Sequence, residues 1–250
     1  MDRIESSPLA YVMDVGFDIK SSKQAIADAE ARQWCFAAVG VHPHDTETFN
    51  DAYIQELRLM IKNPKVLALG EIGLDFYRDY SPREKQREAF RKQLRFAFEE
   101  KLPVIIHDRE SSGETIQILK DEGAFSKERL AVFSSNSETV TPEAGILLHC
   151  FSGSAEQALE YVALGCTISI AGPVTYKNNK KTVKVAEETP LSRILIETDS
   201  PYLTPEPKRG RPNEPVNVEY VARKIAEIRG ISYEEIAAAT MANAKRFFRI

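Results

Sequence analysis

The chain has 250 residues, 43% hydrophobic and 28% charged, with a net charge of -4 at neutral pH. It contains no run of ~18 apolar residues, which argues against a membrane-spanning helix, and its aliphatic and aromatic content excludes a disordered chain. The acidic balance, with a pI of about 5.7, argues against a broad electropositive surface for duplex DNA, because such domains usually have a pI above ~9. Three cysteines, Cys35, Cys150 and Cys166, form no CxxC pair. Reduced thiols in a cytoplasmic protein are therefore expected. The first residues show no basic stretch leading into an apolar core, so no secretory leader is expected. The length suits one α/β barrel domain spanning residues 1–250.

Seven short apolar runs rich in β-branched residues recur along the chain: Tyr11–Gly16, Phe36–His42, Val66–Asp75, Pro103–Asp108, Ile146–Gly153, Thr167–Gly172 and Ile194–Pro201. Near-continuous apolar runs of this length are the pattern of parallel strands covered on both faces. Segments of helical period lie between them: Ser21–Arg32, Pro82–Glu100, Ser154–Leu164, Lys177–Glu188, Val216–Ile228 and Ser232–Phe248. The last opens on a Ser232-x-x-Glu235 capping box. Such alternation predicts a parallel sheet, doubly wound or closed as a barrel. A closed (β/α) barrel needs eight strands, so seven predict a barrel lacking its first βα unit.

The C-terminal ends of these strands carry His42 and His44, Glu71 and Asp75, His107 and Asp108, His149, Glu197 and Asp199. A hydrophobic strand ending in such a group places a costly polar side chain at the edge of the core. All four histidines of the chain share this placement. In a barrel these ends converge on the face where active sites are built. Imidazole nitrogen with carboxylate oxygen suits Zn²⁺, Mn²⁺ or a similar ion, whereas carboxylates alone favour Mg²⁺. The pattern therefore points to metal-assisted hydrolysis, in which the ion acidifies water and polarises a phosphoryl or acyl oxygen. Asp75 also reads as a hydrogen-bond acceptor at a strand-to-helix corner, and Glu197 as a buried partner for an Arg or Lys. Tyr77 and Tyr202 follow ligand motifs and are placed to stack bases. Trp34 reads as packing, and Lys177, Lys180 and Lys181 as a solvated helix face.

The runs Gly40–Asp45 (GVHPHD), Gly70–Tyr77 (GEIGLDFY), Pro103–Glu110 (PVIIHDRE), Leu148–Ser154 (LHCFSGS), Glu197–Pro205 (ETDSPYLTP) and Arg209–Pro215 (RGRPNEP) resemble, in order, the TatD family of metal-dependent deoxyribonucleases. The C-terminal Asn243–Phe248 (NAKRFF) also fits. The resemblance covers essentially the whole chain. It implies a TIM-type barrel, one or two divalent ions (Mg, Mn or Zn) per chain, and hydrolysis of DNA phosphodiesters. The expected exonuclease substrate is single-stranded or end-accessible DNA, with no membrane partner and a monomer or weak homo-oligomer. By resemblance Glu71 bridges two metals, His107 and His149 are ligands of the second, and Asp199 is the ligand opposite that also orients the water. Glu71 and Asp199 are thus the catalytic candidates. Arg109 and the Arg209–Arg211 stretch occupy phosphate-facing positions, and His42, His44 and Tyr202 complete the expected substrate contacts.

Two departures from the family stand out. The His-x-His that supplies two ligands of the first metal has no counterpart before residue 42. The stretch Ala124–Gly145 is longer than usual, and its Ser, Thr and Pro content predicts an exposed loop. The first departure keeps a second reading open: a truncated or pseudo-enzyme barrel with a binding role. A weaker third reading is a related barrel hydrolase acting on amides or lactones.

Overall fold

The computed structural model describes residues 2–134 and 142–250. Seven strands follow the expected order: β1 (Val12–Val15), β2 (Cys35–Val39), β3 (Val66–Asp75), β4 (Val104–Arg109), β5 (Ile146–Leu148), β6 (Thr167–Ile170) and β7 (Ile194–Ile196). Hydrogen-bonded neighbours run in chain order from β1 to β7, and the registered pairs are parallel. Helices separate the strands: α1 (Asp2–Glu5), α2 (Ile19–Glu30), α3 (Asp51–Met60), α4 (Arg83–Glu99), α5 (Ser112–Asp121), α6 (Lys127–Phe133), α7 (Ala155–Ala163), α8 (Lys180–Glu188), α9 (Val218–Arg229) and α10 (Tyr233–Phe248). This is the α/β fold of a TIM-type barrel, with seven strands among the described residues.

The contacts group into two compact units, one of Ala10–Leu147, the other of Leu148–Ile250 with the residues up to Leu9. In the first unit, α4 is the organising helix. Ala89, Phe90, Leu94, Phe96 and Ala97 are buried on it, and so are Gln86 and Gln93, both fully. The two glutamines are seven residues apart and so share one helix face. Each clamps a strand end. The Gln93 carboxamide accepts from the Val41 N–H at 2.9 Å and donates to the Val41 carbonyl at 3.0 Å. Gln86 accepts from the Asp75 N–H at 2.9 Å and donates to the Asp75 and Ser81 carbonyls at 3.2 and 2.9 Å. Backbone groups that leave the sheet ladder inside the core need partners, and these side chains supply them one residue before His42 and at Asp75 itself.

Strand β3 departs from regular pairing between Leu69 and Ile72. Gly70 and Gly73 there have φ of +158° and +146°, a region that disfavours other residues. A Cβ on Gly73 would fall 2.0 Å from the His107 carbonyl oxygen, and one on Gly70 would fall 2.6 Å from Ile105 Cβ. The close approach of β3 to β4 therefore depends on both glycines. The irregularity re-aims the intervening residue, Glu71.

In the second unit, Ile170, Val174, Ile194, Val221, Ile225 and Ile236 make a buried apolar cluster. Capping boxes open α7 (Ser154 with Gln157) and α10 (Ser232 with Glu235, as expected), and Gly230 at φ 64° ends α9. Asn243 on α10 donates to the carbonyls of Leu191 and Ile194 at 2.8 and 2.9 Å, which ties the helix to the start of β7.

The expected exposed loop over Ala124–Gly145 needs correction. It contains α6, capped by Ser126, with Arg129 and Phe133 buried. The Arg129 guanidinium donates to the carbonyls of Leu102, Ala144 and Gly145, so one side of the segment belongs to the core. Residues 135–141 of that expectation lie outside the described residues. Helices α3 and α5 were not expected at all.

Replacement of Gly73 by alanine is expected to destabilise the chain by more than about 2 kcal/mol, through steric overlap and strained φ together. Thermal unfolding followed by circular dichroism checks this, and an unchanged midpoint would contradict it.

Candidate metal centre

In the first unit, two imidazoles meet on one buried carboxylate. Asp75 ends β3 with no exposed surface. Its Oδ1 accepts from the backbone N–H groups of Tyr77 and Arg78 at 3.0 and 2.8 Å. Its Oδ2 lies 2.8 Å from His44 Nε2 and 3.2 Å from His107 Nε2. Burial alone would raise the Asp75 pKa. Hydrogen bonds from His107, the Arg78 N–H and His44 outweigh that and hold it well below its ordinary value. The expected role as an acceptor at a corner is present, and the carboxylate also orients two imidazoles.

That orientation fixes the chemistry of His107. An ionised Asp75 only accepts, so the His107 ring presents an Nε2 proton to it and turns Nδ1 the other way. Nδ1 lies 2.6 Å from Glu71 Oε1. That is ordinary hydrogen-bond length, so without an ion a proton bridges the two atoms, and a divalent ion binding there would displace it. A carboxylate-oriented histidine beside a second carboxylate is a common frame for a divalent ion. Glu71 and His107 are thus the pair that could hold one. Their donor atoms and one from His42 all lie within 4.8 Å of one another.

His42 differs from the other two. Its Nδ1 accepts from the His44 N–H at 3.1 Å, so the neutral ring carries its proton on Nε2 and points it at His107 Nδ1, 3.2 Å away. Burial above all, opposed by Glu71 and aided by His107 and His44, pushes the His42 pKa down to about 3. At neutral pH His42 is therefore a neutral hydrogen-bond donor beside the Glu71 and His107 pair. The His44 ring is engaged with Asp75 and stacks edge-on against Tyr80, with centroids 4.7 Å apart.

Arg109 lies two residues after His107 and so shares its side of β4. Its guanidinium lies 4.1 Å from the Tyr77 ring centroid, and no carboxylate pairs with it among the described residues.

The second unit repeats the device. His149 directly follows β5, and its Nδ1 lies 2.8 Å from Glu197 Oε2. Glu197 thus pairs with His149 and not with the Arg or Lys expected from sequence. The bond places the His149 proton on Nδ1 and leaves Nε2 facing Asp199 Oδ1 at 3.6 Å. Asp199 has a left-handed φ of 57°, which Asp tolerates better than most residues. Beyond it, Asn213 staples the loop after β7, donating to the carbonyls of Thr198 and Tyr202 at 2.8 and 2.7 Å. Tyr202 is 70% exposed. Arg209 lies over Tyr176 at 4.3 Å and 3.6 Å from Glu206. The structure thus groups His42, His44, Glu71, Asp75 and His107 in one unit, and His149, Glu197 and Asp199 in the other. Sequence reasoning did not single out Gln86, Gln93 or Asn213.

Residues 1–249 match the family model for TatD-related DNase. The chain belongs to this family. TatD relatives include a Bacillus subtilis protein named "Uncharacterized metal-dependent hydrolase YabD", 41% identical over 250 residues, covering all of this chain and 91% of the relative. A Cronobacter sakazakii protein named "3'-5' ssDNA/RNA exonuclease TatD" is 32% identical over 251 residues, covering 98% of this chain and 89% of the relative. The crystal structure of the TatD homologue YjjV from Escherichia coli K12 superposes with a TM-score of 0.84 at 29% identity, over all of this chain and 92% of that one. This chain is accordingly a TatD-family metal-dependent hydrolase.

The depressed pKa of His42 has a signed consequence. The unfolded imidazole takes a proton below its ordinary 6.5, whereas the folded one resists down to about 3. Its contribution to stability is therefore full above 6.5 and is lost as pH falls toward 3. In chelator, urea unfolding should show wild type losing more stability between these limits than His42→Gln. Parallel pH profiles would contradict this.

Proposed function

We propose that this chain hydrolyses phosphodiester bonds of DNA, as an exonuclease on single-stranded or end-accessible substrate. The observation that carries the reading is the Glu71 and His107 pair at 2.6 Å, within a His42, Glu71 and His107 group that could hold an ion, with the remaining His107 nitrogen committed to Asp75. An oxygen–nitrogen donor set suits Mn²⁺ or Zn²⁺ better than Mg²⁺, and a divalent ion held there would supply Lewis acidity toward a phosphoryl oxygen and toward water. The same reading gives His149 and Asp199 metal-ligand roles in the other unit, with one or two ions per chain.

The chain's own groups supply the rest. Arg109, a cation without a carboxylate partner among the described residues, neutralises charge on the non-bridging phosphoryl oxygens. His42 donates Nε2–H to a substrate oxygen, and its burial keeps it a neutral donor. In the other unit, Asp199 beside His149 is the group suited to orient a water and take its proton. Glu197 holds the His149 ring in one tautomer. Tyr202 and Arg209, on the loop that Asn213 staples, contact a base and the phosphate backbone, and His44 steadies the site through Asp75. The name of the Cronobacter sakazakii relative supports a nucleic-acid substrate, and the low net charge fits a strand end better than a long duplex.

With Mg²⁺ or Mn²⁺, the purified chain should shorten an end-labelled single-stranded oligonucleotide. Glu71→Gln should lower the rate at least a hundredfold, beyond the ~10–100-fold typical of changes behind the ligands. A folded wild type without activity, or an active Glu71→Gln, would overturn the reading.

A further inference from the structure

Large apolar side chains left in water are uncommon on a well-packed domain, and here they are not scattered at random. Of the seven large exposed ones among the described residues, four lie on segments that follow strands: Phe17, Tyr77, Tyr80 and Tyr202. Tyr77 and Tyr80 share one short loop after β3, at 54% and 64% exposure. We propose that Tyr77 and Tyr80, backed by Arg109 and His44, form a platform on which unpaired bases of single-stranded nucleic acid stack. The proposal rests on the hydrolytic reading above and names the side chains that take the bases of that substrate.

Both rings are exposed yet held. Tyr80 is braced edge-to-face by the His44 ring at 4.7 Å and an interplanar angle of 63°, and His44 is itself fixed on Asp75. The Tyr77 backbone N–H is held by Asp75 Oδ1, and its ring lies under the Arg109 guanidinium at 4.1 Å, with Arg78 at 5.6 Å. The carboxylate that orients His107 thus also anchors the loop carrying both rings. A strand whose phosphate meets Arg109 would bring its neighbouring base against this loop.

Ring faces held in water beside a cation suit stacked bases with a phosphate chain, the usual composition of single-strand sites. A duplex hides its base faces in its own stack. Stacking on one aromatic ring is commonly worth ~1–3 kcal/mol, about a five- to hundredfold change in affinity.

The test is equilibrium binding by fluorescence anisotropy, with the full chain and a short dye-labelled oligothymidylate carrying phosphorothioate linkages that resist cleavage. The comparison is an equally long phosphorothioate chain of abasic sites. Wild type should bind the base-bearing strand at least about tenfold more tightly than the abasic one. The double variant Tyr77→Ala with Tyr80→Ala should lose most of that preference, more than Tyr202→Ala does, and keep its affinity for the abasic chain, and the corresponding double Phe variant should retain the preference. Equal wild-type affinity for both chains, or an Ala variant that keeps the preference, would overturn the platform. Failure of the hydrolytic reading shows separately, as a wild type that prefers bases in this assay yet cleaves no natural strand.

Discussion

Burying an ionised carboxylate is expensive unless its lone pairs are fully used. Asp75 is fully buried and meets that condition with two backbone N–H groups and two imidazoles. The result reaches beyond stability. By accepting at His107 Nε2, Asp75 decides which nitrogen of that ring faces Glu71. By accepting at His44, it steadies the ring that supports Tyr80. By holding Tyr77 and Arg78, it sets the path of the chain into α4. A polar network in the core is strong when every member is satisfied and costly when one is not, so the Glu71 and His107 pair, the loop and the helix start stand or fall together.

Two further devices keep that network in place. Gln86 and Gln93 on α4 act as substitutes for strand partners where the backbone leaves the sheet at Asp75 and Val41. The glycines of β3 let that strand approach β4 closely enough for Glu71 to reach His107. In the other unit the same logic recurs with different residues. Glu197 takes the proton-bearing nitrogen of His149, and Asn213 pins the loop beyond Asp199. Each unit thus sets a histidine tautomer with a carboxylate and clamps the adjoining loop with a buried amide.

The strands were legible because their apolar runs have no other good explanation, and so was the placement of His42, His149 and Asp199 beyond strand ends and of His107 near one, whereas Glu71 lies in the middle of β3. Their extents were overread: the run Ile146–Gly153 holds a strand of three residues, after which Cys150 turns with φ of 43°. Helix α5 escaped notice because its apolar residues are sparse, and α6 because it is short; α3 escaped it despite a clear apolar pattern in Tyr53, Ile54, Leu57 and Met60. The pairing of Glu197 with His149, 48 residues away, depends on tertiary geometry that no local pattern carries. Gln86 and Gln93 had a faint signal: two amides seven residues apart on the face that carries Phe90 and Leu94. A glutamine on an amphipathic helix ordinarily reads as surface, which is why the signal carried no weight.

The central claim is that Asp75 makes His107 Nδ1, together with Glu71, a ligand pair for a divalent ion. Calorimetric titration of Mn²⁺ into the metal-free chain tests it most directly, with Glu71→Gln, His107→Ala and Asp75→Asn alongside. The account predicts a site in wild type that Glu71→Gln and His107→Ala each remove. Asp75→Asn should keep the site but weaken it by about ten- to a hundredfold, the usual effect of losing a group that orients a ligand. Wild-type affinity in all three variants would contradict it.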